Sequence, residues 1–124
     1  ILQKFHAWSD LDDASIAATY TWDRVLDNVM VYWVTNTAGS AARLYAESQR
    51  ADNGAAQGWS GRVEVPTGHA QYPFELLQTP RAWAEKKYDI VHWSEQERGG
   101  HFAAFERPDA FVADLREFRR VLAD

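Results

Sequence analysis

Two strand-like runs separated by one short helical stretch constrain this chain more than any other feature. Arg62-Val63-Glu64-Val65-Pro66-Thr67-Gly68 reads as a strand ending in a turn, and Lys87 to Trp93 reads as a second strand. Between them, Thr79-Pro80-Arg81-Ala82-Trp83-Ala84-Glu85-Lys86 predicts a short helix, with Thr79 as its cap and Pro80 at its first position. Strand, helix, strand implies a parallel pair joined by a right-handed crossover. A last helix follows over about residues 108–122, where Phe111, Leu115, Phe118 and Leu122 recur at i, i+4, i+7 and i+11. The tail is therefore βαβα. Two parallel strands make a poor sheet, because a parallel sheet needs both faces covered and further neighbours. The C-terminal half reads as the end of a larger sheet.

The upstream half is helical. Residues 1–21 are polar with scattered aromatics, and Ser9-Asp10-Leu11-Asp12-Asp13 reads as a loop or a helix start. From Thr21 the pattern changes. Thr21 or Asp23 can cap a helix whose apolar positions are Trp22, Val25, Leu26, Val29, Met30, Trp33 and Val34. Val31 and Tyr32 widen that stripe, which predicts cover on most sides. Asn36-Thr37-Ala38-Gly39-Ser40 breaks the helix, and a second one is expected from about Ser40 to Gln49, with small residues on one face. Residues 50–61, rich in Gly, Asn and Ala, read as a linker or surface loop. No internal repeat or low-complexity segment is present.

Composition removes several function classes. The 124 residues suffice for one modest core. The net charge is −5, and the densest basic pieces, around Lys86-Lys87 and Arg116 to Arg120, are interleaved with acids, unlike a nucleic-acid footprint. With no Cys there is no disulfide, thiolate metal site or cysteine nucleophile. No two His have the i, i+4 spacing of a helical metal site, and no glycine-rich phosphate loop joins a strand to a helix. The longest run free of Asp, Glu, Lys and Arg, Asn28 to Ala42, has 15 residues, short of the ~20 that span a bilayer. The start, Ile1-Leu2-Gln3-Lys4-Phe5-His6, lacks the pattern of a signal peptide, and a cytoplasmic location is the expectation. It also lacks an initial Met, so the chain reads as an internal fragment of a longer protein. The six Trp point to large apolar surfaces, in a core or around a pocket.

Three polar residues stand where chemistry can use them. His101, in Gly99-Gly100-His101-Phe102, lies on a glycine-rich turn beyond the second strand, a position where α/β enzymes place a general base. Such a histidine can equally satisfy a turn carbonyl. Glu75, in Gln71-Tyr72-Pro73-Phe74-Glu75-Leu76-Leu77, follows the first strand and is either a surface charge or an acid aimed into a site. Acid and then base, each after consecutive strands, is the chain order of α/β hydrolases, where the acid fixes the imidazole tautomer. Tyr45, in Ala41-Ala42-Arg43-Leu44-Tyr45-Ala46-Glu47, is either a packed helix tyrosine or a neutral donor to a developing alkoxide. His92 falls inside the second strand, where a core or sheet-surface role is expected.

Four segments in order resemble α/β-hydrolase epoxide hydrolases of the microsomal-like and fungal-like branch. They are Leu26-Asp27-Asn28-Val29-Met30-Val31-Tyr32-Trp33-Val34-Thr35, Ser40-Ala41-Ala42-Arg43-Leu44-Tyr45, Tyr72-Pro73-Phe74-Glu75-Leu76 and Arg98-Gly99-Gly100-His101-Phe102-Ala103-Ala104-Phe105-Glu106. The resemblance implies an α/β fold, the C-terminal part of a hydrolase. Residues 1–50 would end its helical lid, 51–61 would be a linker, and 62–124 would hold the last two parallel strands and their helices. It also implies that His101 activates water, that Glu75 is its charge-relay acid, and that Tyr45 is one of two lid tyrosines holding and protonating the epoxide oxygen.

On that reading an aspartate opens a small apolar epoxide to an alkyl-enzyme ester, and activated water releases a vicinal diol. No cofactor or metal is implied, and a detoxifying role is the expectation. The family's nucleophile, oxyanion-hole loop and first lid tyrosine have no matching position here. The chain alone is then expected to be inactive, to need an N-terminal part, and to be prone to association, including with its own copies. Ala46, where a large residue is common, and His69 depart from the family pattern without touching the three roles. Two other readings remain open at this point: another α/β hydrolase, such as a haloalkane dehalogenase or esterase, and a non-catalytic fragment that binds an apolar ligand or another chain.

Overall fold

Strands β1, Val63–Gln71, and β2, Tyr88–Glu95, pair in parallel in the computed structural model, which describes residues 1–52 and 61–123. Helix α5, Arg81–Lys87, joins them, and α7, Pro108–Ala123, follows the short helix α6, Ala103–Glu106. The βαβα tail has the expected α/β class and strand direction, with differences at its edges. The Thr67-Gly68 turn does not form, and β1 continues through Gly68 to Gln71. Glycine is needed there for another reason: a Cβ on Gly68 would lie 2.8 Å from the Phe118 ring of α7, so a strand interior is thinned to let a helix approach. Nor does Thr79 cap α5. Pro80 is itself the N-cap, with extended ψ of 134°, and its carbonyl accepts from Trp83 and Ala84.

Register and pleat assign the two faces of the sheet. Gly68 opposes His92, and His69 opposes Trp93, so each adjacent pair points to the opposite side. On one face α7 packs over Gly68 and His92. The His92 ring stacks on Phe118 at 5.9 Å, and its Nε2 lies 2.8 Å from the Asp114 carboxylate. On the other face His69 stacks on Trp93 at 4.2 Å, and the Arg81 guanidinium of α5 lies 5.9 Å from the Trp93 ring. His92 is thus a sheet-face residue tied to α7.

The N-terminal residues, read as polar with scattered aromatics, form short helices. Helices α1, Leu2–Trp8, and α2, Ile16–Tyr20, flank a 3-10 turn at Asp12–Ala14. Phe5 and Tyr20 are buried, and Phe5 contacts Tyr20, Phe102 and Phe105 at 5.0, 4.8 and 5.7 Å. The chain forms two compact units, Ile1–Thr21 with Arg62–Asp124, and Trp22–Gly61.

In the second unit, α3 spans Trp22–Thr35 and α4 spans Ala38–Asp52. Helix α4 begins before the expected Ser40 and runs past Gln49 into the expected linker. The rest of that linker, residues 53–60, lies outside the described residues. The expected cover of α3 is absent: Val25 is buried, but Trp22, Leu26, Met30, Val31, Trp33 and Val34 are exposed. An apolar stripe marks a face that can be buried, yet burial needs an opposing surface, which the described residues do not supply. Among the described residues no helix is long and apolar enough to cross a membrane.

The Gly68–Phe118 contact makes a direct prediction. Gly68→Val should destabilise the chain by about 1–3 kcal/mol, the usual cost of overpacking, measured as a lower urea midpoint. An unchanged midpoint would mean that α7 does not sit on the sheet at this point.

Candidate active site

The sheet register delivers two of the three candidate residues to one place. After β1 and β2 end, the two chains meet once more at a parallel bridge between Phe74 and Gly100, where the Phe74 N–H donates to the Gly99 carbonyl at 3.0 Å. The next residue on each chain is Glu75 and His101. Both therefore emerge side by side at the carboxyl end of the parallel pair, where open α/β sheets place their sites. His101 Nδ1 lies 2.8 Å from Glu75 Oε1.

Each partner is held locally. The Glu75 N–H donates to the Tyr72 carbonyl at 3.1 Å, and the Leu76 N–H donates to Glu75 Oε1 at 2.6 Å. The His101 N–H donates to the Trp8 carbonyl at 2.9 Å, and the imidazole meets the Trp8 ring edge-on at 5.1 Å. The His101 and Glu75 side chains remain 38% and 35% exposed, so small molecules can reach them. A carboxylate at Nδ1 favours the tautomer with the proton on that nitrogen, which leaves the lone pair on Nε2 to act as a base.

Both glycines of the turn are required by geometry. Gly99 has φ of +118°, and a Cβ there would lie 2.7 Å from the Tyr72 ring. A Cβ on Gly100 would lie 2.6 Å from the Trp8 carbonyl oxygen. The loop can thus approach α1 closely only with glycine at this position.

The sequence reading missed the groups that frame the loop. Asp10 is buried, and it accepts from Arg98 Nε at 2.5 Å, from Arg98 at a second nitrogen at 2.9 Å and from the Gly99 N–H at 2.9 Å. Asp12 accepts twice from Arg107, at 2.8 and 2.9 Å, and once from Arg98 at 3.1 Å. Arg98 holds the Asp10 carboxyl below its ordinary pKa, against the opposing effect of burial, and Arg107 does the same for Asp12. Beneath them, Tyr20 bonds to Ser9, and burial pushes its phenol up to about 12. The signal in the sequence was slight: acids at 10 and 12 and arginines at 98 and 107 are too far apart to pair by inspection. Tyr45 stands on α4 in the other compact unit, 66% exposed rather than packed.

No protein-family model matches the chain. It is 38% identical to epoxide hydrolase 1 of Sus scrofa, over 98% of this chain and 28% of that protein. It is 36% identical to the juvenile hormone epoxide hydrolase of Bombyx mori, again over 98% and 28%. The crystal structure of juvenile hormone epoxide hydrolase from Bombyx mori superimposes with a TM-score of 0.77 at 35% identity, covering 97% of this chain and 33% of that one. An Aspergillus niger epoxide hydrolase mutant does so with a TM-score of 0.71 at 27% identity, covering 97% and 29%.

The chain spans less than a third of the length of these relatives, and over that stretch it is homologous to epoxide hydrolases. Its parallel strands and flanking helices have the architecture of the C-terminal portion of an α/β-hydrolase fold.

The ion-pair frame predicts an acid-dependent stability. A carboxyl held below its ordinary pKa stabilises the folded chain at every pH above its unfolded value, about 3.9 for aspartate. That contribution is lost as pH falls through the lower folded value. Asp10→Asn should therefore lower the melting temperature at pH 7 and flatten its decline below about pH 4. An acid slope equal to that of the wild type would show that Asp10 is not held by Arg98.

Proposed function

We propose that this chain carries the water-activating part of an epoxide hydrolase. The observation that supports the reading best is the 2.8 Å contact between His101 Nδ1 and Glu75 at the carboxyl end of adjoining parallel strands. Homology to epoxide hydrolases over nearly the whole chain supports this reaction among those a histidine–carboxylate pair can serve.

The chemistry runs in two steps. A carboxylate nucleophile attacks an epoxide carbon, the C–O bond of the ring breaks, and the product is an alkyl ester with a neighbouring alkoxide. The Tyr45 hydroxyl would donate its proton to that oxygen. His101 Nε2 then takes a proton from water, whose oxygen attacks the ester carbonyl, while Glu75 stabilises the imidazolium. The ester C–O bond breaks, the imidazolium returns its proton to the departing alcohol, the carboxylic acid left on the nucleophile gives up its proton to restore the Tyr45 hydroxyl, and a vicinal diol leaves. The nucleophile is assigned to no residue of this chain. On this proposal, turnover needs a polypeptide segment that supplies it.

The test uses a protein that contains both this chain and the carboxylate nucleophile. It should convert a small apolar epoxide to its diol. His101→Gln should form the ester but turn over at least about 100-fold more slowly, the lower end of a general base's contribution. Mass spectrometry should find one substrate added per protein. Normal multiple turnover by the variant would sink the assignment.

A further inference from the structure

Glu106 is almost fully buried, at 4% exposure, and plays no part in the two steps above. Its carboxylate accepts three backbone N–H groups: Asp10 and Gly100 on Oε2, each at 2.8 Å, and Phe102 on Oε1 at 2.9 Å. Gly100 and Phe102 are the residues on either side of His101. The carboxylate thus grips both peptide flanks of the histidine and ties them to Asp10. The third constraint on that peptide, the His101 N–H to the Trp8 carbonyl, comes from the same N-terminal segment. A carboxylate offers acceptors only, so all three donors are met. A carboxamide would turn an NH2 toward at least one of them.

We propose that Glu106 is a positioning residue: by fixing the N–H groups of Gly100 and Phe102, the residues on either side of His101, it aims the imidazole Nδ1 at Glu75. The inference rests on His101 and Glu75 working as a pair. A buried acceptor with three charge-assisted bonds is strong enough to set a loop, and small displacements of a catalytic group cost much of its effect. Glu106 acts through the backbone and touches no reacting atom.

The test reads the tautomer of His101, through the 15N shifts of its ring nitrogens in the full chain. In the wild type the neutral ring should be mainly the Nδ1–H tautomer. If it does not, the His101–Glu75 pairing itself fails. In Glu106→Gln both ring nitrogens should move toward the values of a tautomer mixture. Ala84→Gly, which loosens α5 away from the loop, should lower the melting temperature and leave the His101 shifts in place. If Glu106→Gln does not fold, Glu106→Asp supplies the reading, because the shorter acid keeps the charge but cannot span all three donors. A wild-type His101 spectrum in whichever Glu106 variant folds, alongside a dominant Nδ1–H form in the wild type, would overturn the positioning role alone.

Discussion

A single parallel bridge, Phe74 against Gly100, is the constraint on which the carboxyl end of this sheet depends. It restores the pairing of β1 and β2 after both have ended, and it fixes the relative height of the next residue on each chain. A slip of one residue would send the side chains to opposite faces. With the register held, a glutamate and a histidine 26 positions apart become hydrogen-bonded neighbours. The bridge in turn needs Gly100, because a Cβ there would run into the Trp8 carbonyl and the Phe74 Cβ. The turn that carries the imidazole is therefore shaped from three sides: β1, the loop after β2, and helix α1.

Four carboxylates in this region do different work because their surroundings differ. Glu75 is partly exposed and bonds an imidazole. Glu106 is buried and bonds three backbone N–H groups. Asp10 is buried and shares its charge between an arginine and the Gly99 N–H, while Asp12 meets two arginines nearer to solvent. Buried charges are tolerated only when their lone pairs are used, and the donors here come from segments nearly ninety residues apart in the chain. The ion pairs thus also fasten the N-terminal residues to the loop.

The sequence made the β1–α5–β2–α7 order legible because each element carries its own period or punctuation: alternating β-branched residues, Thr-Pro before a helix, and a stripe from Phe111 to Leu122. It was silent about α1 and α2. The apolar spacings there, Phe5 to Trp8 and Ile16 to Tyr20, each cover only one turn, and Phe5 and Tyr20 are buried against residues such as Phe105, close in space and remote in sequence. The same limit hid Asp10 and Glu106, whose partners are set by folding. Gly68 was misread for a related reason: a glycine that ends a strand and one that admits a neighbouring ring look alike until the neighbour is known. The α3 stripe erred in the other direction, since an apolar pattern reports a capacity for burial and not the surface that satisfies it.

His101 and Glu75 are read here as the pair that delivers water to an ester, a role that separates the two chemical steps. Rapid-quench kinetics of Glu75→Gln, in a protein that supplies the carboxylate nucleophile, measure those steps one at a time. The account predicts ester formation at the wild-type rate and ester breakdown slowed at least about tenfold, as the imidazolium loses its counter-charge. Breakdown at the wild-type rate, or a loss confined to ester formation, would contradict it.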